Sequence, residues 1–188
     1  MKNIIVQEKK MITKISLSGF AGSGKSTIGK NIQEMLGFEF ISVGNFSREF
    51  AKNEYGMNIN EFQQLCKQHP KLDAIIDNKF KEKCNALENI VIDYRLGFKF
   101  LNNTFHVLLK VSDTVAQDRI SAANRGNEIT TAVAIKKRNK EMQQRFKMKY
   151  DVDFMDESNY HLIINTDNLT SKEVTDFIIT KFQKFNQK

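Results

Sequence analysis

GFAGSGKST, residues 19–27, is the stretch on which the reading of this chain turns. Gly19, Gly24, Lys25 and Ser26 fill the pattern G-x-x-x-x-G-K-[ST]. That pattern carries weight only where a strand runs into it and a helix runs out of it. Both conditions hold: KISL (14–17) is a short β-branched run, and Ile28, Ile32 and Leu36 recur afterwards at helical phase. Glycines at 19, 22 and 24 let the backbone turn successive N–H groups inward on an anion, with the positive end of the next helix behind them. Ala21, Ser23 and Thr27 complete the cradle, Lys25 brings a mobile charge to a terminal phosphate, and the Ser26 hydroxyl suits Mg²⁺.

Working outward, KISL, FEFIS (38–42), NIVID (89–93), FHVLLKV (105–111) and YHLIIN (160–165) read as strands. Helical patterns separate them at 25–36, 45–54, 60–68, 71–87, 113–124, 129–149 and 171–185, the last with Ser171 as N-cap. Strands alternating with helices predict parallel βαβ units, and near-continuous apolar strands predict a sheet covered on both faces. The expectation is a three-layer α/β fold of the P-loop NTPase type with a five-stranded parallel sheet. Asp93 closes the third strand, beside the phosphate site, where a carboxylate holds Mg²⁺ directly or through water. An N-K-x-D guanine-reading motif is absent, NTDN (165–168) lacking the lysine, which disfavours a GTPase.

A length of 188 residues and 40% hydrophobic content fit one domain over 1–188. The opening MKNIIVQEKKMITK has no apolar leader core, and no apolar run reaches the ~18 residues of a membrane span, so the chain is expected to be cytoplasmic and free of the membrane. Cys66 and Cys84 form neither a C-x-x-C pair nor a Cys/His group. The net charge of +7 permits nucleic acid and equally suits a small polyanion.

Phosphoryl chemistry needs charge aimed at the phosphate oxygens, and arginines supply it. Arg119 falls inside the apolar arc of its helix (Val115, Ala116, Ile120, Ala123), an inward position that asks for a partner such as a sheet-end carboxylate. Arg138 and Arg145 flank the stripe Ala132, Ile135, Met142, Phe146, about 10 Å apart on one face. Arg125-Gly126, just before this helix, reads as a hinge. Phe80, Phe146 and Phe177 phase with apolar neighbours as core. His106 and His161 alternate within strands and read as structural.

The text from end to end resembles the nucleoside monophosphate kinases, and most closely the short, archaeal-type cytidylate kinases. FISVGNFSREFAKNEYGMNINEF (40–62) is similar to the family segment whose G-[DN]-x-x-R element places an arginine on the acceptor phosphate, here Arg48 with Gly44 before it. HPKLDAIID (69–77) is similar to a stretch with an aspartate pair, here Asp73 and Asp77, with Asp73 implied in acceptor binding. DYRLG (93–97) resembles the [DE]-G-R element and makes Arg95 an acceptor contact. DRI (118–120) resembles the start of the lid, where the arginine, here Arg119, stacks on the adenine of ATP; Arg138 and Arg145 match the arginines that embrace the transferring phosphoryl. The resemblance implies a helical NMP-binding segment at about 44–87, a short helical lid at about 126–149, ATP as donor, Mg²⁺, and CMP or dCMP as acceptor to a monomer. Tyr94 stands at the family's glycine, which predicts a narrowed acceptor site or a shifted Arg95. Asn45 stands where many relatives have Asp, and Met142 and Gln143 where many have acidic residues.

Two other readings follow from the same residues. One is a kinase for AMP, UMP or a non-nucleotide metabolite; the short span from Arg119 to Arg138 lacks room for an inserted β lid, which weighs against AMP. The other is an RNA-linked P-loop ATPase, disfavoured because the phenylalanines that can be phased lie in apolar stripes rather than on a basic single-strand platform.

Overall fold

The computed structural model describes residues 11–123 and 132–187, with the side chains of Lys67, Pro70, Asp73 and Ala132 outside the description. Arg125-Gly126 therefore lies outside the described residues. The elements run β1 (Lys14–Ser18), α1 (Lys25–Leu36), β2 (Glu39–Ser42), α2 (Val43–Tyr55), α3 (Ile59–Gln68), α4 (Pro70–Ala86) and β3 (Ile90–Asp93). They continue with α5 (Gly97–Phe100), β4 (Thr104–Lys110), α6 (Asp113–Ala122), α7 (Ala132–Tyr150), a 3₁₀ turn (Glu157–Asn159), β5 (Leu162–Asn165) and α8 (Ser171–Gln187).

All four strand pairs are parallel, and the sheet order is β2-β3-β1-β4-β5. β1 therefore lies at the centre, with Leu17 registered on Asp93 of β3 and Val107 of β4. Burial of β1 over its whole length follows from that position. One face carries Ile15, Leu17, Val91, Phe105, Val107 and Leu109 against Ile28 and Ile32 of α1 and Val174, Ile178 and Phe182 of α8. Ile41, Ile90 and Ile92 join a second core with Phe80, Tyr94, Leu96, Leu101 and Phe154, against which Met142 and Phe146 of α7 pack. Period-2 strands with both sets of side chains covered make the three-layer architecture.

A third, smaller core of Phe50, Ala51, Phe62, Cys66 and Ile76 holds α2, α3 and α4 together beyond the edge of the sheet. Several expectations need correction. Thr170, not Ser171, caps α8: the Glu173 N–H donates to Thr170 Oγ1 at 3.2 Å, and the Thr170 N–H donates to Glu173 Oε2 at 2.8 Å. A capping box needs its hydroxyl one residue before the helix, so Ser171 becomes the first helical position. Phe177 is 46% exposed with the Lys181 ammonium over its ring, because α8 already fills its inward face with Val174, Ile178 and Phe182. His161 precedes β5 instead of lying within it.

Candidate active site

The 19–27 loop leaves the central strand and is wedged between β4 and α6. Gly19 has φ +139°, and a Cβ there would sit 2.3 Å from the Leu109 carbonyl oxygen. Gly22 has φ +79°, and its Cβ would sit 2.7 Å from the Ala116 Cα. A side chain at either position meets both a disfavoured backbone region and backbone atoms that cannot yield.

The turn wraps the end of Lys25, which is only 6% exposed. Its ammonium donates to the carbonyls of Gly19 (3.0 Å) and Phe20 (2.8 Å) and to Ser23 Oγ (3.3 Å). These contacts hold the ammonium within the turn. Ser26, at the start of α1, donates to Asp93 Oδ2 at 3.0 Å. The register of β3 on β1 sets this pair, since Asp93 lies level with Leu17 just before the loop.

Mg²⁺ suits such a pair. It binds through one or two carboxylates together with phosphates and retained waters, rather than in an all-protein cage. The described residues fit this, with one hydroxyl and one carboxylate at the loop and no group of three or more His, Cys, Asp or Glu elsewhere that would hold a metal.

A cavity of about 570 Å³ opens in front of the loop. Ala21, Gly22, Ser23, Gly24, Lys25, Ser26 and Thr27 line its floor, and Asp93 and Arg95 enter from the end of β3. Gly44 and Arg48 line it from α2, Arg119 from α6 and Arg138 from α7. Elements far apart in sequence thus deliver cations to one space with Asp93 as the carboxylate among them.

Each arginine is held differently. Arg95 donates through Nε to the Gly19 carbonyl at 3.1 Å. Burial pulls its pKa down, Asp93 opposes that, and Arg138 and Arg145 reinforce it. A half-buried guanidinium beside two others gains from any anion that enters. Arg48 donates to Asn45 Oδ1, a neutral acceptor that leaves its charge uncompensated. Arg119 does point inward, but its partner is no carboxylate: it donates to Thr166 Oγ1 (2.9 Å) and the Thr166 carbonyl (2.5 Å) after β5.

Arg145 does not line the cavity; its guanidinium lies 5.5 Å from the Phe146 ring, close enough to act on Arg95. Asp73 belongs to α4, and its side chain lies outside the described residues. Tyr94 does not line the cavity. Its ring is 4% exposed, turned away into the second core, 5.1 Å from Phe80 and 6.2 Å from Phe100. Gln143 donates to Asp153 Oδ1 at 2.9 Å.

The sequence reading missed the far wall, made by Thr166, Leu169, Ser171 and Val174 with Ala122 and Ala123. The only signal was the turn NTDNLTS after the last strand. It also missed Asn139, 6% exposed on the inward stripe of α7.

Residues 14–168 match the profile described as the cytidylate kinase-like family. The chain is 59% identical over 176 residues to an S-adenosylmethionine-dependent nucleotide dehydratase of Lacinutrix mariniflava, covering 94% of this chain and 37% of that protein. It thus spans little more than a third of that relative's length. It is 33% identical to a cytidylate kinase of Methanocella arvoryzae (87% of this chain, 93% of that one) and 36% to one of Thermococcus kodakarensis (81% and 78%). Among solved structures, a shikimate kinase from Acinetobacter baumannii superposes with TM-score 0.64 at 15% identity, covering 94% of this chain and 96% of that one. A gluconokinase from Sinorhizobium meliloti does so with TM-score 0.57 at 17% identity, covering 95% and 96%. Identities this low speak for the shared P-loop architecture alone.

Proposed function

Because the chain belongs to the cytidylate kinase-like family, we propose that it transfers the γ-phosphoryl of ATP to a nucleoside monophosphate, with CMP or dCMP as the acceptor. The observation that carries this reading is the convergence of Arg48, Arg95 and Arg138, from α2, the turn after β3 and α7, on the cavity floored by Lys25. A phosphate-binding ATPase needs the floor; a phosphoryl acceptor that is itself an anion needs the additional cations.

In this reading the acceptor phosphate is held by Arg48 and Arg95 beside Gly44, and Asp73 is assigned to acceptor binding as well. The ATP phosphates lie on the backbone of Gly19 and residues 21–24, with Thr27 behind them and Arg119 against the adenine. Lys25 exchanges its carbonyl partners for the γ-phosphoryl oxygens. An acceptor oxygen attacks the γ-phosphorus in line, the bond to the β–γ bridging oxygen breaks, and ADP leaves with that electron pair. No covalent enzyme intermediate is required. Arg138 and Arg145 balance the charge spread over the moving phosphoryl group. Mg²⁺, held through Ser26 and Asp93, would neutralise the β- and γ-oxygens. Segments at about 44–87 and 126–149 serve as the acceptor-binding segment and the lid, and lid closure keeps water from competing as acceptor.

The dehydratase relative is named for action on a nucleotide. That supports a nucleotide acceptor over shikimate or gluconate, the compounds named for structures that share only the fold.

ADP production from Mg-ATP is the test, with CMP, dCMP, UMP, AMP, GMP, dTMP and buffer as acceptors. We expect rapid turnover with CMP or dCMP, lowered about a hundredfold or more by Lys25→Ala at unchanged thermal stability. Turnover with another acceptor alone would move the base assignment. Hydrolysis independent of every acceptor would overturn the kinase reading.

A further inference from the structure

Two parts of the molecule that carry arginines meet where α7 ends. The foot of α7 lies against α4: the Lys149 ammonium is 3.2 Å from Asp77 Oδ2, and the Tyr150 hydroxyl donates to the same carboxylate oxygen. The pair is half-buried, with side-chain exposures of 28% for Lys149 and 25% for Asp77, so solvent screens it less than a surface pair. Beside it the Tyr150 ring packs edge-on against Phe100 at 5.2 Å.

Asp77 is one turn from Phe80, whose ring lies 5.2 Å from Phe46 of α2, two residues before Arg48. On the other side Phe146 of α7 meets Phe154 at 5.5 Å, and Phe154 meets Phe20 of the phosphate loop at 5.2 Å. The block that holds Arg48 is thereby fastened to the foot of the helix that holds Arg138 and Arg145.

We propose that Asp77 is a positioning residue, which by gripping Lys149 and Tyr150 ties the pose of α7, and with it Arg138 and Arg145, to the α2–α4 block that bears Arg48. The functional consequence rests on the kinase reading above; the mechanical one does not.

The lever is quantitative. At 1.5 Å per residue, Arg145 stands about 7.5 Å and Arg138 about 18 Å above Tyr150 along the helix. A swing of about 10° at the foot therefore moves Arg145 by roughly 1 Å and Arg138 by roughly 3 Å. Misplacement by 1 Å costs on the order of a hundredfold where charge must meet a transferring group. Arg138 depends on the grip most, because it is the arginine farther from it.

Spin labels at Glu82→Cys on α4 and Lys136→Cys on α7 report the geometry directly, both native positions being exposed and the native Cys66 and Cys84 buried. Asp77→Ala should broaden the inter-label distance distribution, and Asp77→Asn, which keeps an acceptor for Tyr150, should largely restore it. In turnover, Asp77→Ala should lower kcat about tenfold or more with little change in the KM for ATP. The same substitution made in an Arg138→Ala background should cost less than it does in the wild type, because the arginine farther from the grip is gone and only Arg145 remains to be misplaced. If Asp77→Ala does not fold, Tyr150→Phe carries the same comparison. An unchanged distance width overturns the proposal, as do losses that simply multiply in the double variant. A wild-type protein inactive on every acceptor overturns the kinase reading instead, and the label distances still decide on Asp77.

Discussion

Arg48 shows how one side chain tunes the charge its neighbour offers. An aspartate at position 45 would pair with Arg48 and neutralise it; Asn45 accepts its hydrogen bond without cancelling the charge. If Arg48 grips the acceptor phosphate, Arg48→Ala removes one charge-assisted contact, worth about 1.5–3 kcal/mol, or roughly ten- to a hundredfold in kcat/KM for the acceptor. The KM for ATP should hardly move. Initial rates with each substrate varied in turn check this, and a loss confined to ATP would place Arg48 on the donor side. Arg138 was legible from its spacing along a helix, whereas Arg48 and Arg95 were reached only through the resemblance of 40–62 and 93–97 to the nucleoside monophosphate kinases. Tyr94 was harder to read. Its neighbours in sequence, Asp93 and Arg95, border the cavity, while the strand's end turns its ring into the second core. Spacing alone does not tell which way a side chain leaves the residue just after a strand.

At the scale of the element, the long periodic helices and the apolar strands were readable to within a few residues, since each repeats its signal over several turns or pleats. α5 was not: four residues, GFKF, give no period to detect, and contact with the sheet makes the helix, a Cβ on Gly97 lying only 2.7 Å from Ser16. The Thr170 cap was missed for a related reason, because Thr170 and Ser171 are both good caps and only the reach of Glu173 separates them. α3 carries the clearest cap in the molecule. Asn58 accepts from the backbone N–H groups of Asn60 (2.9 Å) and Glu61 (3.0 Å), while Glu61 accepts from the Asn58 N–H at 2.8 Å. Behind it α3 has only the small third core. Asn58→Ala should therefore cost about 1 kcal/mol. Hydrogen exchange should show the loss concentrated in α3, with the sheet untouched. Equal loss in β1 and β3 would mean that this helical block unfolds only together with the sheet.

Across the whole molecule, the βαβ alternation foretold a parallel sheet, but the order β2-β3-β1-β4-β5 is a property of how the layers pack, and no single stretch of sequence encodes it. One consequence of that packing is visible only in three dimensions. β1 beside β4 sets Ser16 Oγ 2.7 Å from His106 Nδ1, and the chain before β5 brings the His161 ring over His106 at 5.3 Å. His161 Nδ1 accepts from the His106 backbone N–H at 2.9 Å, so its own proton is placed on Nε2. Burial, with a smaller contribution from His161, pushes the pKa of His106 down from 6.5 to about 4, and burial lowers that of His161 as well. A native-state pKa below the unfolded one means that the unfolded chain takes up the proton first. Above pH 6.5 both states are neutral at His106 and nothing is lost; as the pH falls from 6.5 to 4, stability drains away at up to about 1.4 kcal/mol per pH unit, or about 3 kcal/mol in all. Carboxylates titrate in the lower half of that window, so the diagnostic comparison is between pH 6.5 and 5. Urea unfolding of the wild type and of His106→Gln across that range should give a steeper decline for the wild type, by about 1 kcal/mol per unit. Parallel declines would mean that His106 is already protonated in the folded protein, and that Ser16 and the stacked His161 tolerate a charge which their burial argues against.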